Sequence, residues 1–185
     1  MNLILFNTGW MTWNLSLAFT SVILGWAVLS VENKLLKAFL TLLWIAFIPN
    51  TIYILTDLYH FTYQQYLLSG FKEIILVAQY AIFIPFGFIT FFSSMNLFEK
   101  ALEQMKISRN FIFLLNFLIG IAMVVGRFLR SNSWDLFFNP TRAINDIFAV
   151  LITAPFLMLA LLFGVLCNLL YLMSRESYVE NPAQA

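Results

Sequence analysis

The chain has 185 residues, 62% of them hydrophobic and 10% charged, with a formal net charge of +1 and a mean hydropathy of +0.87. That is too little polar surface to coat a soluble globule, so the chain belongs in a bilayer. With no net basic charge, basic run or aromatic platform, nucleic-acid binding is excluded, and the single cysteine, Cys167, excludes a disulfide within the chain.

Five uncharged stretches, 1–31, 38–56, 74–98, 110–126 and 147–174, each approach or exceed the roughly 20 residues that cross a hydrocarbon core. They lack the apolar-polar alternation of barrel strands. The expected fold class is all-α: a polytopic membrane helix bundle forming a single membrane domain. Its five transmembrane helices are expected at about 8–31, 38–57, 73–98, 110–130 and 140–173, with a frayed tail at 176–185.

The first helix starts without a positive n-region or a small-residue cleavage site and so reads as a retained span. The second contains Pro49, which removes a backbone donor and frees a carbonyl one turn back, that of Ile45. This predicts a kink, with Asn50 as the substitute partner. Asn50, Tyr53, Asp57 and His60 share one face of this helix. The loop that follows spaces Tyr59, Tyr63 and Tyr66 as a short interfacial helix would.

In the third helix Pro85 reads as a packing kink, as does Pro155 in the fifth, and Gln79 approaches the same side as Asp57. The fourth helix presents Asn116, Gly120, Met123, Arg127 and Arg130 on one face and runs into Asn132-Ser133-Trp134-Asp135. Asn139-Pro140 predicts an N-cap followed by proline at the first position of the fifth helix, which carries Asp146 near its start. Cys167 reads as a buried packing residue.

The connecting loops alternate sides. Lys34, Lys37, Lys100, Lys106, Arg109 and Arg175 fall on one side, and Lys72, Arg127, Arg130 and Arg142 on the other. By the positive-inside tendency the first group is cytoplasmic, which places the N-terminus outside and the C-terminus inside.

The second and fourth helices both run outward. At about 1.5 Å per residue, Asp57 lies about 29 Å along the second and Arg127 about 26 Å along the fourth. The two opposite charges therefore reach nearly the same depth. Polar stripes on membrane helices face the bundle interior or a water-filled cavity. Arginine's planar fork suits carboxylate or phosphate, although long side chains at a helix end also snorkel to the headgroups. His60 is a loop histidine one turn beyond Asp57. One histidine and one buried cysteine make no conventional zinc site, and no nucleotide-binding glycine loop is present, so no metal or cofactor is expected.

Two segments carry a resemblance: Phe47-Ile48-Pro49-Asn50 through Tyr53 and Thr56-Asp57, and Gly126-Arg127-Phe128-Leu129-Arg130 through Asn132-Ser133-Trp134-Asp135. Together they resemble domain of unknown function 1361, a family of uncharacterised bacterial multi-pass membrane proteins, and the second motif is the more specific. The resemblance covers most of the chain and implies a bacterial inner (plasma) membrane location, but no activity.

The sequence thus leads to an expected site at the extracytoplasmic end of the bundle. Arg127 and Arg130 are its anion partners and Asp57 the counter-ion, with Asn50, Tyr53, Asn132, Ser133, Trp134 and Asp135 as neighbours. It would bind an anionic lipid headgroup or small anionic compound, in a transport or envelope-assembly component whose partners are the lipid bilayer and another membrane protein. The alternatives are a membrane enzyme acting on a lipid-linked substrate, with Asp57 or Asp135 as general base, and a purely structural subunit.

Overall fold

The structure is a computed structural model in which residues 3–179 are described, with side chains through Arg175. Among the described residues the secondary structure is helical. Five helical stretches are long and apolar enough to cross a membrane: Leu3–Ser30, Lys34–Leu67, Phe71–Gln104, Asn110–Leu129 and Ala154–Arg175. The chain divides into two compact units, Met1–Ser94 and Met95–Ala185, and the boundary falls inside one long helix.

The first unit begins with α1 (Leu3–Ser30), followed by α2 (Lys34–Phe47). Asn33 starts α2 by accepting hydrogen bonds from the Leu35 and Leu36 amides at 3.0 and 3.1 Å, which satisfies two of the donors a helix start leaves open. Pro49 then opens a new short helix, α3 (Pro49–Tyr53), which tightens into a 3-10 turn over Ile54–Asp57 before α4 (Leu58–Gln64). The kink therefore falls where Pro49 predicts it. There Asn50 Nδ2 donates to the Phe47 carbonyl at 3.0 Å, two residues on from the Ile45 carbonyl named from the sequence.

Next comes α5 (Phe71–Gln104), which continues through Pro85 as one helix. Met11 and Ala18 of α1, Ile54, and Leu76, Tyr80 and Phe83 of α5 form the first unit's core. Gly87 lets Ile54 approach α5 closely, since a Cβ there would stand 2.9 Å from an Ile54 methyl. Ser94 joins the helices by polar contacts, with Ser21 Oγ at 2.8 Å and the Trp44 indole N–H donating at 3.0 Å.

The second unit holds the end of α5, then α6 (Asn110–Val124), a π-helical turn over Val125–Leu129, α7 (Asp135–Phe138), α8 (Pro140–Ile152) and α9 (Ala154–Val179). α6 and α9 pack backbone to backbone at Gly120, where a Cβ would collide with the Ala160 carbonyl oxygen. Beside this contact Asn116 Nδ2 donates to Asn168 Oδ1 at 2.9 Å, and the Phe113 ring meets Tyr171 at 6.2 Å.

The expected fifth helix, 140–173, is two helices. Thr153 is extended (φ −95, ψ 104) and separates α8 from α9. Pro155 accounts for the break, because it has no N–H to give the Leu151 carbonyl and its ring crowds the preceding turn. Pro140 does open α8, but Asn139 makes no side-chain capping bond there. Where fraying was expected from Glu176, α9 continues to Val179, and 180–185 lie outside the described residues.

At the opposite end of α6 and α9, Glu99 gathers three donors. Arg109 Nε lies 2.7 Å away, Tyr171 OH donates at 3.0 Å and Arg175 Nε lies 3.7 Å away. A hydrogen bond to Glu103 and the charge of Glu99 push the exposed Arg109 guanidinium above its ordinary range.

Candidate functional site

In the first unit the polar side chains gather around the N-terminal half of α1. Asp57, almost fully buried at the end of the 3-10 turn, accepts a hydrogen bond from Asn14 Nδ2 at 3.0 Å. Two turns earlier on α1, Asn7 and Gln64 exchange bonds reciprocally: Asn7 Nδ2 donates at 2.7 Å and Gln64 Nε2 returns at 3.1 Å. The Trp10 indole N–H adds a 3.0 Å bond to Asn7 Oδ1, and Tyr80 OH reaches Gln64 Oε1 at 3.4 Å.

Buried amides away from water require such partners, and here four elements supply them to one another. Gln79 donates to Thr8 Oγ1 at 2.9 Å and to the Ile4 carbonyl at 3.0 Å. Its Oε1 is buried without a hydrogen-bond partner among the described residues. His60 packs its ring 5.7 Å from Trp10. Of the stripe read from sequence, Asn50 donates back to the Phe47 carbonyl at the end of α2, and Tyr53 closes α3 one turn before Asp57.

In the second unit, Gly126-Arg127-Phe128-Leu129 forms the π-helical turn, and Arg130 ends it in the left-handed region at φ 56. Glycine is the usual occupant of that position, because a Cβ there costs about 1–2 kcal/mol. The next residues fold on themselves. The Asn132 amide donates to Asp135 Oδ2 at 2.7 Å, and the Asp135 amide donates to the Asn132 carbonyl at 2.9 Å. Ser131 Oγ donates to Asp146 Oδ2, which also faces Arg142 Nε at 3.7 Å. Arg142 further reaches the Leu129 and Arg130 carbonyls at 3.4 Å each, capping the π turn.

Both carboxylates of this region are thus engaged by neighbours in sequence or on α8. The exposed Arg130 side chain makes no hydrogen bond or ion pair among the described residues. An open cleft of about 610 Å³ lies alongside, lined by Phe138, Asn139, Pro140, Thr141, Arg142, Asn145 and Asp146. Of the residues singled out in the sequence as pocket-lining, only Asp146 borders it. Among the described residues no group of three or more His, Cys, Asp or Glu is placed to hold a metal ion.

Asp57 belongs to the first unit and Arg127 to the second. Sequence reasoning missed Asn7, Asn14 and Gln64 in the first unit, and Ser131 and Arg142 in the second. A signal for α1 was present, since Asn7 and Asn14 are two turns apart and share a helix face within an uncharged stretch.

The family model described as "Protein of unknown function (DUF1361)" matches residues 13–170, which include both motifs. The chain belongs to that family. The match spans Asn14, Asp57 and Gln64 as well as the turn from Gly126 to Asp135, while Asn7 lies outside it. Searches of curated proteins and of solved structures return no match. Membership brings no activity with it, so the reading of function rests on the geometry of the chain itself.

Proposed function

We propose that this multi-pass membrane protein binds an anionic lipid headgroup or small anionic compound through Arg130, with Arg127, Asn132, Ser133 and Trp134 around it. Such a protein would serve as a transport or envelope-assembly component of a bacterial inner membrane. The supporting observation is the state of Arg130: exposed, in a backbone conformation that disfavours a side chain, and unpaired, while Asp135 and Asp146 are occupied by other donors. Strain retained at a charged residue points to a use for that charge. The orientation that puts this end outside, with the N-terminus outside and the C-terminus inside, rests on the distribution of lysine and arginine.

The enzyme reading draws less support. Asp135 accepts the Asn132 amide and closes its own turn, which is the work of a cap.

Native mass spectrometry of the protein in nanodiscs containing phosphatidylglycerol and phosphatidylcholine tests the proposal. The parent should retain phosphatidylglycerol preferentially. Arg130→Gln should weaken that retention roughly 10- to 100-fold, the equivalent of one charge-assisted hydrogen bond at about 1.5–3 kcal/mol. Equal retention by parent and variant, or no preference in the parent, would overturn the assignment to Arg130.

A further inference from the structure

We infer that α8 lies in the plane of the membrane interface as an amphipathic surface helix, bound on one flank by lipid. It is no part of the fifth span. This inference does not rest on the anion site.

The register of α6 against α9 is the first observation. The two helices run antiparallel, with Phe113 beside Tyr171, Asn116 beside Asn168 and Gly120 beside Ala160 and Gly164. The start of α9 is therefore level with the end of the π turn at Leu129. The paired spans, Asn110–Leu129 and Ala154–Arg175, are 20 and 22 residues long, about 30 and 33 Å at 1.5 Å per residue, and so already match a hydrocarbon core of about 30 Å. A collinear α8 would project the chain well past the bilayer. Instead the break at Thr153 turns it back, and Val150 joins Val124, Val125 and Ala160 in one apolar cluster at the end of α6.

The three faces of α8 are the second observation. At 3.6 residues per turn, Ala143, Ile147 and Val150 share the flank packed on the unit. Arg142, Asn145 and Asp146 form a polar face. Between these two faces runs an exposed apolar stripe of Ile144, Phe148, Leu151 and Ile152, with Phe148 59% and Ile152 81% exposed. A helix standing upright in hydrocarbon has no use for the polar face, and one in water has none for the stripe. A helix lying in the interface accommodates both.

Along the chain the exposed apolar residues continue with Met158, Leu161 and Leu162 of α9, a helix long and apolar enough to cross a membrane. Continuity with a lipid-facing span identifies the stripe's occupant as lipid. Exposed Phe137 and Phe138 of α7 extend the apolar surface at the same end of the unit.

Spin-label accessibility on the full chain in lipid vesicles tests this. Nitroxides would be placed at Phe148→Cys, Ile152→Cys, Asn145→Cys and Leu161→Cys, each in a Cys167→Ala background. Oxygen, which partitions into lipid, should relax the labels at 148 and 152 more than a water-soluble nickel chelate does. The label at 145 should respond in the reverse sense, and the label at 161 should lie deeper than any on α8. Labels at 148 and 152 open to nickel would place α8 in water, and labels shielded from both reagents would mean that protein covers the stripe. Depth equal to that of 161 would make α8 part of the span. Any of these three results would overturn the inference. Positions 148 and 152 report on the same stripe, so loss of one variant to misfolding leaves the other to decide.

Discussion

Asn7 and Gln64 set a limit on what single residues reveal. Each is a buried amide in an apolar environment, and each is satisfied chiefly by the other across 57 residues of chain. No local pattern announces such a pair, because the partner is chosen by how the helices pack. Asp57 was legible as a polar group out of place, yet Asn14, the residue that donates to it, was not. Replacing Asn7 by Leu strands the Gln64 amide and should destabilise the protein by about 1–3 kcal/mol. Adding Gln64→Leu should return part of that loss, with a coupling of about 1 kcal/mol, in the range seen for hydrogen bonds between membrane helices. Reversible unfolding in mixed micelles measures both values, and strictly additive losses would show that the two amides do not depend on each other.

Among the elements, hydropathy located the spans because a bilayer demands about 20 apolar residues whatever their order. It could not distinguish a proline that a helix absorbs from one that ends it. Pro85 lies within continuous α5, while Pro155 separates α8 from α9. The difference lies in the neighbours: α8 carries a polar face that a span could not keep, so breaking there costs less than continuing. The π turn at Val125–Leu129 had no sequence signal either, since an inserted residue changes the face that follows without changing composition. Close packing of α6 on α9 gives a sharp test of element geometry. Gly120→Ala places a methyl against the Ala160 carbonyl and should cost about 1–3 kcal/mol or more by overpacking. Gly9→Ala, whose Cβ meets nothing within 4 Å, should change stability by no more than about 1 kcal/mol. Thermal unfolding of both variants in one detergent provides the comparison, and equal midpoints would rule out the backbone contact.

For the whole molecule, alternation of five spans would put the 105–109 and 130–153 connections on opposite membrane faces. The proposed orientation predicts that a membrane-impermeant thiol reagent labels Asn145→Cys on intact cells but labels Ser108→Cys only after permeabilisation, both in a Cys167→Ala background. The reverse pattern would invert the orientation, and labelling of both from outside would contradict the span count. The lysines and arginines that motivate this orientation do not all remain free in the folded protein. Glu99 and Glu103 engage Arg109, and Glu99 also engages Arg175. Acidic residues contribute little while a chain is being inserted, so these arginines count in full at that stage. Once the ion pairs close, their charge is neutralised at short range. In the proposed orientation, two of the arginines that help direct insertion are thus screened afterwards by carboxylates of their own unit.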